Sequence, residues 1–133
     1  MMSVAVSAEA LAVGDVVEQF VRNIVVPYER DPRAGHHGPS EDLVVEMRAK
    51  ARDAGVLTPH IRDDGSHFSQ LDTAHILKKS GLSPLGPVAC NTMAPDEGNM
   101  FLLGKVASAH QKERFLDPLV AGTARSAFFM TEP

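Results

Sequence analysis

The chain has 133 residues, of which 44% are hydrophobic and 23% are charged, with a formal net charge of −4 and a single cysteine, Cys90. This length suits one domain, the lone cysteine excludes a disulfide framework and cysteine-based zinc or iron–sulfur sites, and the acidic balance argues against nucleic acid as a partner. No apolar run approaches the roughly 20 residues that span a bilayer, so the composition predicts a soluble, cytoplasmic protein with no membrane span.

The first predicted helix runs from Leu11 to Val25, because its apolar residues follow helical spacing with polar residues between them. Pro27 is expected to end or kink this helix. The stretch Glu29 to Pro39 carries several prolines and glycines and is predicted to be a loop.

Ser40 is the predicted N-cap of a second helix, which Gly55 ends. Residues 56–70 show no clean periodicity and are predicted to be a loop with short extended pieces. A third helix is predicted from about Leu71 to Ser80. Its predicted buried face consists of Leu71, Ala74, Ile76 and Leu77.

A short fourth helix is predicted from Ser83-Pro84, and a fifth is predicted from Pro95. The fifth helix has Asp96 and Glu97 in its first turn, where carboxylates match the helix dipole and are expected at the surface.

Ser108 and Gln111 have the spacing of a capping box and predict the start of a sixth helix, which ends at Gly122. Pro118 lies inside this helix and is expected to kink it.

The stretch Arg125 to Met130 has two phenylalanines and no helical polar face, and it predicts the start of a β-strand. No earlier segment is a convincing partner strand, and a single strand leaves its ladder groups unpaired. The sequence therefore predicts an all-α fold, a helical bundle of about five to six helices over residues 1–124. Residues 125–133 are then the first strand of a second, truncated β-rich unit.

The histidines are expected to be scattered over the surface rather than gathered in a metal site, because none forms a helical i, i+4 pair. They are His36, His37, His60, His67, His75 and His110. The sequence thus predicts no metal site, and Cys90 is interpreted as a small buried residue rather than a nucleophile.

Two stretches of the chain match a known pattern. Residues 111–133 contain QKERFL, then PL, a glycine and RSAFFMTEP, and residues 94–100 read APDEGNM. The first stretch resembles the junction between the N-terminal helical domain and the middle β-domain of acyl-CoA dehydrogenases. The second is similar to the branch that includes family members ten and eleven.

The resemblance implies an FAD-dependent enzyme of fatty acid β-oxidation that oxidises acyl-CoA to trans-2-enoyl-CoA. The implied partners are the acyl-CoA substrate, an electron-transfer acceptor and further copies of the full-length protein in a homo-oligomer. In the family the catalytic base is a Glu of the C-terminal domain, so no catalytic residue is assigned here. The isolated chain is expected to be inactive.

The resemblance also implies two sets of binding residues. Backbone groups and one hydroxyl at the start of the first β-strand are expected along the pyrimidine edge of the flavin, and these residues are Phe128, Met130 and Thr131. Small residues at the start of the fifth helix are expected to form a wall of the acyl pocket, and these are Ala94, Pro95 and Gly98.

One position departs from the family pattern. The family usually has a glycine where the fifth helix ends, and this chain has Ala107 there. Either the helix end is capped differently, or a left-handed alanine costs on the order of 1 kcal/mol.

Two other functions are compatible with the same residues. One is a non-catalytic helical interaction module that binds a partner through its exposed fifth helix. The other is a different flavoenzyme of the same fold, an acyl-CoA oxidase or a monooxygenase.

Overall fold

A computed structural model describes residues 4–132, and over this range its regular secondary structure is helical apart from one isolated bridge. The α-helices are α1 (Ala8–Phe20), α2 (Glu41–Asp53), α3 (Gln70–Ser80), α4 (Gly86–Ala89), α5 (Asp96–Val106), α6 (Ala109–Gln111) and α7 (Asp117–Val120). Because α6 and α7 are joined by a π-helical turn into one continuous helix, the described residues form six α-helical elements, besides the short 3₁₀-helices Val26–Arg30 and Pro32–Ala34. The predicted all-α bundle is confirmed.

Serine side chains start four of these helices by accepting a backbone N–H from the first turn. Two of them, Ser40 and Ser108, are the predicted caps, and Ser108 forms the complete predicted capping box with Gln111. The other two caps, Ser7 and Ser69, were not predicted. As a result α1 begins at Ala8 rather than at the predicted Leu11, whereas α3 begins at Gln70, close to its predicted start.

Two helical turns widen to a π-helix just before a proline. The turns are Val21–Val25 and Lys112–Leu116, and each is followed at the second residue by Pro27 or Pro118. A proline has no N–H and its ring clashes with the carbonyl four residues earlier in a regular α-helix. At Pro27 the helix gives way to a 3₁₀-helix, Val26–Arg30, which agrees with the predicted helix end. The kink predicted at Pro118 stays a prediction.

The hydrophobic core lies between α1, α2, α3 and α4, where α1 packs against α3 and α2 packs against α4. Its largest fully buried apolar side chains are Leu43, Met47, Ile76, Val17, Val21, Val25 and Val56. The predicted loop at residues 56–70 is confirmed up to residue 69, because Gln70 already belongs to α3, and it contains one antiparallel bridge between Ile61 and His67.

The buried face of α3 differs from the predicted one. Leu71 is 40% exposed and Ala74 is also exposed, whereas Ile76 is buried as predicted. The other buried residues of α3 are polar, and they are Asp72, Thr73 and Ser80.

Hydrogen bonds explain why α3 buries polar side chains. The carboxylate of Asp72 accepts from the backbone N and the Oγ of Ser7, both at 2.8 Å. The hydroxyl of Ser80 lies 2.7 Å from that of Thr92. Burying a polar group costs little free energy when the group has a hydrogen-bond partner. The positions of apolar residues alone therefore do not identify the buried face of α3.

The end of α5 is capped without a left-handed residue. Ala107 has φ −74° and ψ 148°, which is extended backbone that alanine adopts freely. The missing glycine is therefore explained by a different helix cap and not by a strained, left-handed alanine.

The segment after Gly122 contains no regular secondary structure up to residue 132. Within the described residues, no strand pairs with Arg125–Met130, so the ladder that would define a strand is not formed. The predicted boundary near residue 124 stays a prediction. Met1–Ser3 and Pro133, which that prediction includes, lie outside the described residues.

None of the helices in residues 4–132 has both the length and the apolar content needed to traverse a membrane.

Candidate functional site

The start of α5 and the segment after Gly122 are held together by Ser126. The Oδ1 atom of Asp96 accepts from the backbone N of Ser126 at 2.7 Å and from its hydroxyl at 2.6 Å. Asn99 donates from Nδ2 to the same hydroxyl oxygen at 2.7 Å. These three hydrogen bonds tie the segment that carries the predicted flavin contacts to the helix that carries the predicted acyl wall.

Asp96 is not the surface carboxylate that its place in a first helical turn predicts. Asp96 is 3% exposed, and its carboxylate accepts a hydrogen bond from the backbone N–H of Ser126. The two residues are 30 positions apart, and no local pattern in the sequence signals that they meet. Glu97 was also predicted to lie at the surface, but its side chain is only 25% exposed and lies beside His67.

The three predicted wall residues present an open surface. Ala94 and Gly98 are exposed and Pro95 is half-buried, and the Ala94–Pro95 peptide bond is cis. A Cβ atom built on Gly98 meets nothing within 4 Å. There is therefore room against α5 for a ligand or for another part of a larger protein.

An apolar stripe continues from Gly98 along the exposed side of α5. Leu102 and Val106 follow at intervals of four residues and are 53% and 72% exposed. Residues four apart lie on the same side of a helix, so these positions form one surface. Exposed apolar surface of this kind is typical of binding faces.

The predicted flavin contacts are exposed and have free backbone groups. Phe128 is 56% exposed and Met130 is 83% exposed, and Thr131 is also exposed. No hydrogen bond joins the backbone of residues 127–132 to another described residue. The amides, carbonyls and the Thr131 hydroxyl are thus available to a polar ring edge, which fits the pyrimidine part of a flavin.

A cavity of about 650 Å³ lies elsewhere, between the loop at residues 56–70, the second half of α5 and the α6–α7 helix. Leu57, Ile61 and Phe101 are among its apolar lining residues. None of the six predicted site residues lines it, so the cavity and the predicted site are separate features of the described chain.

Two of the six histidines lie together in space, contrary to the expected surface scatter. His60 is fully buried, and its ring centroid is 5.5 Å from that of His67. Burial, with a smaller contribution from His67, lowers the pKa of His60 to about 4. The approach of these residues depends on the turn of the loop at 56–70, which helical spacing rules do not detect.

Cys90 is fully buried, as its apolar surroundings predict. Burial raises the pKa of the thiol to about 12, so the nucleophilic thiolate is disfavoured.

No family model matches the chain. Comparison with curated proteins finds a protein named as a probable acyl-CoA dehydrogenase from Mycobacterium tuberculosis, 32% identical over 141 aligned positions that cover 99% of this chain. Acyl-CoA dehydrogenase family member 10 of Mus musculus is 32% identical over 86% of this chain, and family member 11 of Gallus gallus is 34% identical over 88%.

Comparison with solved structures gives the same result. A protein assigned as an acyl-CoA dehydrogenase from Mycobacterium abscessus superposes with a TM-score of 0.75 at 34% identity, over 98% of this chain and 36% of that one. The chain also spans 34% of the length of the M. tuberculosis protein, and 12% and 16% of the mouse and chicken proteins.

Proposed function

Since this chain belongs to the acyl-CoA dehydrogenase family over nearly its whole length, we propose that it is the helical part of an FAD-dependent acyl-CoA dehydrogenase. In this proposal it forms one wall of the acyl pocket and one edge of the flavin site. The observation that carries the proposal is the attachment of Ser126 to Asp96, because it joins the two sets of binding residues.

The flavin edge is assigned to Phe128, Met130 and Thr131. The chemistry that bound FAD would supply is the acceptance of a hydride from the β-carbon of the acyl thioester. The free backbone groups of this segment and the Thr131 hydroxyl would bind and orient the pyrimidine edge. The exposed side chains of Phe128 and Met130 would exclude water around it.

The acyl wall is assigned to Ala94, Pro95 and Gly98. Two of these residues are exposed, and Gly98 leaves open space where a side chain would stand, so the surface can accept an aliphatic chain. The apolar stripe of Leu102 and Val106 extends this surface along α5.

No residue of the chain is assigned as the catalytic base. Asp96 is the buried carboxylate at this site, and its Oδ1 atom already accepts two hydrogen bonds from Ser126. We therefore propose that these residues bind and orient, and that the chain alone does not turn over acyl-CoA. The proposal includes an electron-transfer acceptor, a homo-oligomer and a cytoplasmic location for the full-length protein.

A non-catalytic interaction module is the second candidate. The exposed apolar residues of α5 support it, because they suit a protein partner as well as an acyl chain.

The decisive experiment uses the product of the complete reading frame that contains these residues. We expect bound FAD in the absorption spectrum, bleaching of that spectrum by an acyl-CoA, and turnover with an artificial electron acceptor. A folded product that neither binds FAD nor oxidises any acyl-CoA would contradict the enzyme and favour the interaction module.

Two pairs of variants test the residue assignments in the same protein. Gly98→Val should raise the KM for acyl-CoA by about tenfold or more by filling the wall, whereas Gly104→Val on the same helix should not. Thr131→Val should weaken FAD binding by roughly fivefold, because one hydrogen bond contributes about 1 kcal/mol, and Glu132→Gln should leave the binding unchanged. Equal effects within either pair would refute that assignment.

A further inference from the structure

We propose that His60, His67 and Glu97 form a binding site for a divalent transition-metal ion, and that Zn²⁺ fits it best. One nitrogen of each imidazole and one carboxylate oxygen of Glu97 all lie within 4.8 Å of one another. Two of the residues come from the loop at 56–70 and the third from the first turn of α5. A bound ion would therefore cross-link the loop to the helix.

The ring of His67 is already oriented as a ligand. Its Nδ1 atom lies 2.7 Å from the carbonyl oxygen of Phe68, and a carbonyl can only accept, so the proton belongs on Nδ1. The Nε2 atom then carries the lone pair, and it has no hydrogen-bond partner among the described residues. It lies 4.0 Å from Oε1 of Glu97. A backbone carbonyl that fixes the tautomer in this way is the usual support for a metal-bound histidine.

His60 supplies the independent observation. Its residue is fully buried, and neither ring nitrogen has a hydrogen-bond partner within the described part of the chain. Leaving buried polar atoms unpaired is costly, and such atoms are uncommon in folded proteins. A metal ion bound by one of these nitrogens would satisfy it.

The donor set favours a transition-metal ion over Ca²⁺ and Mg²⁺. Two imidazoles and a carboxylate are typical ligands of Zn²⁺, whereas Ca²⁺ and Mg²⁺ prefer oxygen ligands throughout. Bond lengths of 2.0–2.1 Å place tetrahedral zinc ligands roughly 3.4 Å apart, whereas the three atoms lie within 4.8 Å of one another, so they must move together on binding. Other rotamers of the long Glu97 side chain can bring its carboxylate closer to the two imidazoles.

An ion can reach this site from the solvent. His67 and Phe101 line the cavity of about 650 Å³ described above, and their rings are 5.2 Å apart. With three protein ligands, the fourth tetrahedral position would be left to a water molecule.

The test uses the 133-residue chain, stripped with a chelator and titrated with ZnCl₂ by calorimetry. We expect one equivalent of Zn²⁺ to bind, a higher melting temperature in its presence, and with Co²⁺ the visible absorption of a tetrahedral site. Glu97→Gln and His67→Gln should each lower the affinity by at least about tenfold.

The matched control is His36→Asn with His37→Asn, which removes the exposed adjacent pair and should leave the affinity unchanged. Absence of stoichiometric Zn²⁺ uptake by the unmodified chain would overturn the proposal, as would loss of binding in the control. If circular dichroism shows that His67→Gln does not fold, Glu97→Gln decides, and wild-type affinity in that variant also overturns the site.

Discussion

The Nδ2 group of Asn91 donates a hydrogen bond to the Oγ1 atom of Thr58 at 2.9 Å, and both residues have positive φ angles, 59° and 52°. Asn91 also donates to the carbonyl oxygen of Leu119 at 2.9 Å. This pair joins the loop at residues 56–70 to the end of α4 and to α7. A left-handed conformation is unfavourable for a β-branched residue such as Thr58, so the surrounding contacts must hold it there.

Substitutions at Asn91 should separate the hydrogen bonds from the backbone conformation. Asn91→Gly removes both donated bonds but tolerates the positive φ, and we expect a loss of about 1–2 kcal/mol in the free energy of unfolding. Asn91→Ala should cost about 1 kcal/mol more, because alanine resists that conformation. Urea denaturation measures both free energies of unfolding. Equal stability of the two variants would show that the positive φ at this position does not disfavour alanine.

Gly86 should tolerate no side chain. A Cβ atom at this position would lie 1.8 Å from the carbonyl oxygen of Ser80, so the backbone would have to move. We expect Gly86→Ala to lower the free energy of unfolding by about 3 kcal/mol. The control is Gly104→Ala in α5, where a Cβ atom meets nothing within 4 Å and helix propensity should stabilise by about 0.5–1 kcal/mol. A thermally stable Gly86→Ala variant would contradict the close approach of α4 to α3.

The stability of the chain should fall as the pH decreases from 6.5 to 4. Burial holds the pKa of His60 at about 4, below its ordinary value of 6.5, so the unfolded state binds more protons in this window. The stabilisation is complete above pH 6.5 and is lost towards pH 4, and at most about 3 kcal/mol is involved.

Urea denaturation at several pH values, with a chelator present, measures this dependence. His60→Gln should make the free energy of unfolding nearly independent of pH between roughly pH 4.5 and 6.5, where His60 would otherwise contribute. The variant His110→Gln, which changes an exposed histidine, should retain the wild-type dependence on pH. The same slope in His60→Gln and the wild type would show that another group is responsible.

The amide of Ser126 should be protected from hydrogen exchange, although it lies in a segment without regular structure. Its N–H donates to the carboxylate of Asp96, and bonds to charged groups contribute about 1.5–3 kcal/mol. Asp96→Ala should therefore accelerate exchange at Ser126 by about 10- to 100-fold.

The control for this prediction is Ser126→Ala, which removes the hydroxyl but keeps the backbone bond and should retain most of the protection. Fast exchange at this amide in the unmodified chain would show that the attachment does not persist in solution.

Local signals in the sequence predicted those parts of the fold that depend on local chemistry. The cap at Ser40 and the capping box of Ser108 with Gln111 need only residues within one helical turn, and both are confirmed. The resemblance identified the family, which similarity to acyl-CoA dehydrogenases over nearly the whole chain confirms.

Buried polar groups were not predicted where their partners lie far along the chain. Asp72 is paired with Ser7 across 65 positions, and Asp96 with Ser126 across 30. Periodicity assigns such residues to the surface because it counts apolar side chains and cannot include a distant donor. The same limit concealed the meeting of His60 with His67, which depends on how a loop folds back. The assigned flavin and acyl contacts stay predictions.

The two π-helical turns, Val21–Val25 and Lys112–Leu116, mark positions where the chain could change length by one residue. Each holds one residue more than an α-helical turn spanning the same rise, so a single deletion could restore the α pattern. Because the extra residue is taken up within the widened turn, such a deletion would leave the later side chains on their present faces of the helix. Leu119, which is buried after the second widened turn, would then stay buried. A deletion in a neighbouring α-helical turn would instead rotate the following side chains by about 100°.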